Sequence, residues 1–102
     1  IDQRSRPLVT TDLPAKIVRF SAQSLVEGVE EHSVEGVTVR ITNPAKTVAD
    51  CFKFRNKVGL DIALEALRDA WRKRKVTMVE LDRFAATNRM TNVMRPYLEM
   101  LT

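Results

Sequence analysis

The sequence predicts an α+β domain, in which a small antiparallel sheet from the first 42 residues packs against about four helices formed by the remainder. Two patterns indicate strands: a stretch rich in β-branched and aromatic residues over 16–21, and an alternation of apolar and polar residues over 33–41. After Thr42 the apolar residues recur with a helical period up to the end of the chain. A length of 102 residues suits one domain, spanning 1–102.

The chain before the predicted sheet lacks a clear periodicity. Residues 4–14 contain two prolines and predict an irregular lead-in. A strand is expected at 16–21, and residues 23–28 fit either a single helical turn or a loop. Residues 33–41 then predict a hairpin around Glu35 and Gly36, because alternate residues from Val37 onward face the same side.

The first predicted helix of the α half begins after Thr42. Asn43 is a good N-cap, and Pro44 fits the first helical position, where its missing N–H has no partner to lose. Three cations crowd the expected end of this helix, where the macrodipole favours positive charge: Lys53, Arg55 and Lys57. Its apolar stripe comprises Ala45, Val48, Ala49 and Phe52.

Three further helical patterns follow. The strongest is an apolar stripe formed by Leu60, Ala63, Leu64, Leu67, Ala70 and Trp71. Thr77 and Glu80 have the spacing of a capping box, which predicts a helix that buries Leu81, Phe84 and Ala85. The last pattern runs from Met90 to Leu101 and contains Pro96, so a kink or two short helices are expected there.

Composition narrows the class of protein. The single cysteine, Cys51, excludes an internal disulfide framework and an all-cysteine metal site, which suits a reducing cytoplasm. No apolar run approaches the ~20 residues that span a bilayer, and no export signal is visible. Because the sequence starts at Ile1 without a Met, we expect it to be part of a longer protein with a further domain upstream.

The net charge of +4 is unevenly distributed. Residues 27–35 include four glutamates and no basic residue, namely Glu27, Glu30, Glu31 and Glu35. Eight cations within 53–75 form the candidate contact surface: Lys53, Arg55, Lys57, Arg68, Arg72, Lys73, Arg74 and Lys75. Cations at helix ends have a structural explanation, but four in succession exceed what a helix end requires. The surface favours an acidic partner, either protein or nucleic acid, and contacts to DNA would be to phosphate without base specificity.

No set of residues indicates catalysis, a metal or a cofactor. His32 is the only histidine, and Cys51 has no histidine paired with it in sequence. Asp61, Glu65 and Asp69 share one helix face opposite the apolar stripe, where solvation explains them. The three glycines are too far apart to form a phosphate-binding loop. The protein is therefore predicted not to be an enzyme.

Three segments carry a resemblance to a known family. Residues 43–52 (NPAKTVADCF), 60–67 (LDIALEAL, preceded by Gly59) and 94–98 (MRPYL) are similar to the C-terminal domain of AbiEi-type antitoxins of bacterial type IV toxin–antitoxin systems. The resemblance implies a transcriptional regulator of abortive-infection systems whose N-terminal winged helix-turn-helix binds promoter DNA. It also implies that the C-terminal part counteracts a nucleotidyltransferase-like toxin.

The resulting hypothesis is a non-enzymatic, cytoplasmic antitoxin effector domain without cofactor or membrane association. Promoter DNA would be bound through the missing N-terminal domain, with only weak nonspecific nucleic-acid contact by this chain. The alternative is an oligomerisation or ligand-sensing domain of a bacterial DNA-binding regulator without a toxin partner. In that case residues 94–101 would pair with a second copy of the chain.

Overall fold

The computed structural model of the protein describes residues 2–29, 31–34, 36–41 and 43–101. These residues form six helices and one two-stranded hairpin. In chain order the elements are α1 (Asp2–Glu27), β1 (Glu31–Val34), β2 (Val37–Arg40), α2 (Pro44–Lys53), α3 (Arg55–Val58), α4 (Leu60–Arg72), α5 (Met78–Thr87) and α6 (Thr91–Glu99). The structure is 74% helical, so the predicted α+β class, with a sheet packed against helices, is wrong.

The main cause of the error is α1, which occupies both the predicted lead-in at 4–14 and the predicted strand at 16–21. Val18, Ala22 and Leu25 are buried and lie at i, i+4 and i+7, which is a helical spacing. Their face packs against α2 and α4. These tertiary contacts outweigh the weak strand preference of the β-branched residues.

A glycine terminates α1. Gly28 has φ 76°, its N–H donates to the Leu25 carbonyl at 3.3 Å, and the Val29 N–H donates to the Ser24 carbonyl at 2.9 Å. These two bonds form a Schellman motif, in which the left-handed position is usually a glycine. The chain then enters the hairpin.

The hairpin is confirmed at the predicted place, with Glu31 opposite Arg40 and Val34 opposite Val37. The Arg40 Nε donates to the Glu31 carboxylate at 3.0 Å across the strands. Both strands contact α1. The side chains of Val37 and Val39, which were expected to face one side together, lie outside the described part of the chain.

The predicted start of α2 is confirmed. The Asn43 Oδ1 accepts the Lys46 N–H at 3.2 Å, and Pro44 is the first helical residue. The helix ends sooner than expected, because the backbone leaves helical geometry at Phe54 and α3 begins at Arg55. The three cations predicted at one helix end therefore belong to two helices.

The core lies where α1, α2 and α4 meet, and α5 also packs against α2. Many of its contacts come from alanines, which allow helices to approach closely. The fully buried alanines are Ala22, Ala45, Ala49, Ala63, Ala66, Ala70 and Ala85. On α4 the buried face differs from the predicted stripe: Ala66 belongs to it, Leu64 is only half-buried, and Leu60 is 38% exposed.

The last two helices, α5 and α6, contact each other. The capping box of α5 is confirmed, since Thr77 and Glu80 bond each other's backbone N–H groups. The chain remains helical through Pro96, so the expectation of two short helices is wrong. Met94 and Leu98 of α6 are buried in the core.

Candidate functional site

The eight cations of the predicted contact surface lie in two groups. Lys53, Arg55 and Lys57 are placed by α2 and α3, before α4 begins. The others lie along α4 and in the loop after it: Arg68, Arg72, Lys73, Arg74 and Lys75. With 13 residues, α4 is about 20 Å long, so the Lys57 end and the Arg72 end of the set are separated by about the length of this helix.

The first group contributes to the fold. The Arg55 Nη1 donates to the Phe52 carbonyl at 2.9 Å and also contacts the Met90 sulfur at 3.5 Å. The Lys57 carbonyl accepts a hydrogen bond from the Arg19 guanidinium at 2.9 Å, which ties α3 to α1. Lys53 is exposed, with its ammonium 6.0 Å from the centre of the Phe54 ring. Arg55 is therefore a poor candidate for binding a partner.

The cations on α4 lie among carboxylates. Arg68 and Arg72 line a shallow groove of about 410 Å³ together with Asp61, Glu65 and Asp69. The Arg72 guanidinium forms an ion pair with Asp69 one turn away. Asp69 is only 8% exposed, contrary to the solvated position predicted for it. This groove has mixed charge and no clear preference for an anion.

The loop between α4 and α5 is held in one conformation by its backbone. The Arg74 N–H donates to the Trp71 carbonyl at 3.0 Å, and the Lys75 N–H donates to the Ala70 carbonyl at 2.9 Å. This is a Schellman motif with Arg74, at φ 58°, in the left-handed position. The Lys73 Nζ donates to the Val26 carbonyl at 2.8 Å, which joins the loop to the end of α1. Val76 is buried and anchors the far side of the loop.

The side chains of Arg74 and Lys75 are exposed, and neither forms a hydrogen bond or ion pair with a residue that the structure describes. Of the predicted set, they and Arg68 are the cations that the fold leaves for a partner. The bond from Lys73 to α1 joins residues 47 apart in the chain, and no local sequence signal indicates it.

Neither the Cys51 thiol nor the acidic side chains of the described residues form a reactive or metal-binding site. Burial, followed by the charge of Asp50, raises the pKa of the Cys51 thiol from 9.0 to about 12, so the thiol stays protonated and unreactive at neutral pH. Among the described residues no group of three or more His, Cys, Asp or Glu side chains could hold a metal ion. The side chain of His32 lies outside the described part of the chain.

The segment that carries the family resemblance most strongly is also structural. Ala45, Val48 and Phe52 of α2 are buried in the core. The Asp50 carboxylate accepts one bond from the Lys46 ammonium and one from the Asn88 amide, each at 2.9 Å, which links α2 to the end of α5. Residues 43–52 therefore stabilise the fold, and a contact surface must lie elsewhere.

A second groove, of about 540 Å³, lies between α5 and α6. Its floor includes Met78, Ala85 and Leu98, and its rim includes Asp82 and Arg95. It is wide open, and its apolar floor with opposite charges on the rim does not resemble a catalytic arrangement.

In the described part of the chain, no helix has the length and apolar character required to cross a membrane. Comparisons of the chain with protein-family models, with curated proteins and with solved structures each found no match.

Proposed function

We propose that this chain is the non-enzymatic effector domain of an AbiEi-like antitoxin and transcriptional regulator, which counteracts a nucleotidyltransferase-like toxin in the cytoplasm. The observation that most supports the proposal is the exposed cationic loop between α4 and α5, whose backbone is held by hydrogen bonds. The segment that resembles the family contributes to the core instead. The toxin assignment itself rests on the resemblance of residues 43–52, 60–67 and 94–98.

The loop suits a contact surface because its shape is set before a partner arrives. The Schellman bonds, the Lys73 bond to α1 and the buried Val76 limit the motion of its backbone, so little backbone entropy would be lost on binding. The exposed charges of Arg74 and Lys75 would steer an acidic protein surface toward it.

The test is growth rescue by the chain when it is co-expressed with the toxin encoded beside its gene. The variant combines Arg74→Gly and Lys75→Ser, leaves Lys73 to hold α1 and leaves Arg72 paired with Asp69. We expect it to fold and to lose most of its neutralisation, with a binding defect that shrinks as salt screens the charges over ~8 Å at physiological ionic strength.

The matched control is Arg89→Gly. It makes the same type of substitution at a second left-handed loop position, but at the opposite end of α5. The control should neutralise the toxin as well as the unchanged chain. Full neutralisation by the double variant would remove the loop from the mechanism. A neighbouring toxin that the unchanged chain does not counteract would refute the antitoxin function.

The alternative is a self-associating or ligand-sensing domain. The structure disfavours pairing through residues 94–101, because Met94 and Leu98 are already buried in the core. One observation supports ligand sensing: the groove between α5 and α6 is open to a small ligand with an apolar body. A concentration-dependent mass in analytical ultracentrifugation, without toxin binding, would favour this alternative.

A further inference from the structure

The groove between α5 and α6 has walls of the same pattern on both helices. Its lining residues recur at i, i+4, i+7 and i+8, from Met78 to Ala86 on α5 and from Thr91 to Glu99 on α6. Residues with this spacing share one face of a helix, so a continuous face of each helix forms one wall. Because only residues 88–90 connect the two helices, Ala86 and Thr91 lie near the connection, whereas Met78 and Glu99 lie far from it.

The middle of each wall carries one charge. Asp82 lies one turn from either end of the α5 wall, and Arg95 holds the same position on the α6 wall. Both side chains are exposed, and neither forms a hydrogen bond or ion pair with a residue that the structure describes. The groove therefore presents an anion on one side and a cation on the other, both available to a partner.

The groove is apolar in its floor and at one outer edge. Ala85 and Leu98 are buried and form part of the floor. Val79 lies at the outer edge of the α5 wall, since it precedes Asp82 by three residues and Ala86 by seven, and its side chain is 77% exposed. A partner that covered this apolar surface would remove it from water, which is favourable.

The shape of the groove favours a macromolecule over a small ligand. A small-molecule site buries most of the surface of its ligand, whereas this groove of about 540 Å³ is wide open. A pair of helices laid along it would cover both walls, because α5 and α6 are about 15 and 14 Å long. The occupant must then present a cation to α5 and an anion to α6, with apolar surface between them.

A second copy of this chain meets these requirements. A two-fold axis that runs along the groove exchanges the two walls, so α5 of each copy lies against α6 of the other. Asp82 of one copy then faces Arg95 of the other, and the same pair forms a second time by symmetry. The apolar floors meet between the two ion pairs, and Val79 is covered by the facing α6. An unrelated partner would need this order of charges by coincidence, whereas the groove is its own complement.

We infer that two copies of the chain associate through this groove as a symmetric dimer, held by two reciprocal ion pairs between Asp82 and Arg95. Met94 and Leu98 keep their places in the core, so the interface differs from one that would have to expose them. Two short helices per copy would bury about 1,000 Å² in total, the lower limit for a specific interface, so we expect a weak dimer with a dissociation constant of roughly 10–100 μM. The inference concerns the chain alone and does not rest on antitoxin function.

Sedimentation equilibrium of the chain between about 5 and 500 μM tests the dimer. The mass of the unchanged chain should rise from that of a monomer toward that of a dimer over this range. Asp82→Arg and Arg95→Glu should each weaken association by at least about tenfold, because each variant places like charges opposite each other at both contacts.

The decisive sample is an equimolar mixture of these two variants. Each contact of the mixed dimer again joins a cation with an anion, so the dimer mass should return, and native mass spectrometry should identify the species as the heterodimer. The net charges of the variants are two units above and two units below the +4 of the unchanged chain, so both remain positive. General attraction between oppositely charged chains therefore cannot produce the recovery.

The matched control is Lys53→Glu, which changes the net charge as Arg95→Glu does but lies on α2, outside the groove. It should dimerise like the unchanged chain. Melting temperatures check that each variant folds. Should a charge reversal prevent folding, Asp82→Asn and Arg95→Gln take its place. Each of these should weaken the dimer, and mixing them should restore one of the two ion pairs and part of the affinity.

Four results would overturn the inference. They are an unchanged chain that stays monomeric at about 500 μM, unchanged affinity in a single charge-reversal variant, and an equimolar mixture that stays monomeric. The fourth is an equal loss in Lys53→Glu, which would show that net charge governs association and that the groove does not. Toxin neutralisation is scored by growth in a separate assay, so failure of either proposal leaves the other standing.

Discussion

At the residue scale, burial of the Cys51 thiol makes the free energy of unfolding depend on pH. Burial, followed by the charge of Asp50, raises its pKa from 9.0 to about 12 in the folded protein. Above pH 9 the unfolded chain loses the thiol proton while the folded chain keeps it, so deprotonation favours unfolding. We expect this group to lower the free energy of unfolding by roughly 1 kcal/mol at pH 10, with the loss continuing until the pH reaches the folded pKa.

Denaturant unfolding at pH 8 and pH 10 checks this expectation. The control is Cys51→Ala, which has no thiol to titrate and should show a smaller decrease between the two pH values, although its stability at pH 8 is lower. The folded chain should also react with a thiol reagent only as fast as it unfolds. Rapid labelling of the native protein at pH 8 would contradict the buried, protonated thiol.

Ser24 offers a second residue-scale prediction. Its side chain is fully buried, and its Oγ has no hydrogen-bond partner among the described residues. A buried hydroxyl without a partner has lost its hydration without compensation. Ser24→Ala should therefore leave the free energy of unfolding unchanged or raise it by up to about 1 kcal/mol. The reciprocal control, Ala22→Ser on the same helix, should destabilise the protein, and a Ser24→Ala variant that is clearly less stable would reveal a missing partner.

At the scale of elements, the parts predicted correctly have local causes. The starts of α2 and α5 depend on side chains that bond backbone groups three residues away, so Asn43 and Thr77 with Glu80 could be recognised in the sequence. The hairpin is equally local. By contrast, α1 is helical because Val18, Ala22 and Leu25 meet helices that follow much later in the chain. Its β-branched residues favour a strand locally, and these tertiary contacts override that preference.

Removing the cap of α5 tests one of these local causes. The Thr77 Oγ1 accepts the Glu80 N–H at 3.2 Å, and the Glu80 carboxylate accepts the Thr77 N–H at 3.0 Å. Thr77→Ala should cost about 1 kcal/mol, which lowers the melting temperature by roughly 4–8 °C in a domain of this size. Thr87→Ala, at the other end of α5, is the control and should have a much smaller effect. Equal melting temperatures for the two variants would mean that the cap contributes nothing measurable.

At the scale of the molecule, cations that are adjacent in sequence have different environments in the candidate surface. Arg72 to Lys75 are consecutive, yet in space Arg72 pairs with Asp69, Lys73 holds α1, and Arg74 and Lys75 remain exposed. The bond of Lys73 depends on where α1 ends, and a prediction that lacked α1 could not include it. The left-handed backbone of Arg89 is likewise visible only in the structure.

The packing of α4 against α1 and α2 gives the last prediction, which separates core from surface on one helix. Leu67 is 1% exposed, whereas Leu60 is 38% exposed, although both belong to the stripe predicted from sequence. Leu67→Ala should cost about 2–5 kcal/mol, because it leaves a cavity that the surrounding helices cannot fill. Leu64→Ala, at a half-buried position, should cost less, and Leu60→Ala should cost the least of the three.

Denaturant titration measures these losses. Since a domain of this kind is stable by only about 5–15 kcal/mol, the Leu67 variant should unfold at a clearly lower denaturant concentration. Equal losses at the three positions would show that the outer edge of α4 is covered in solution, and that α4 contacts a partner through Leu60.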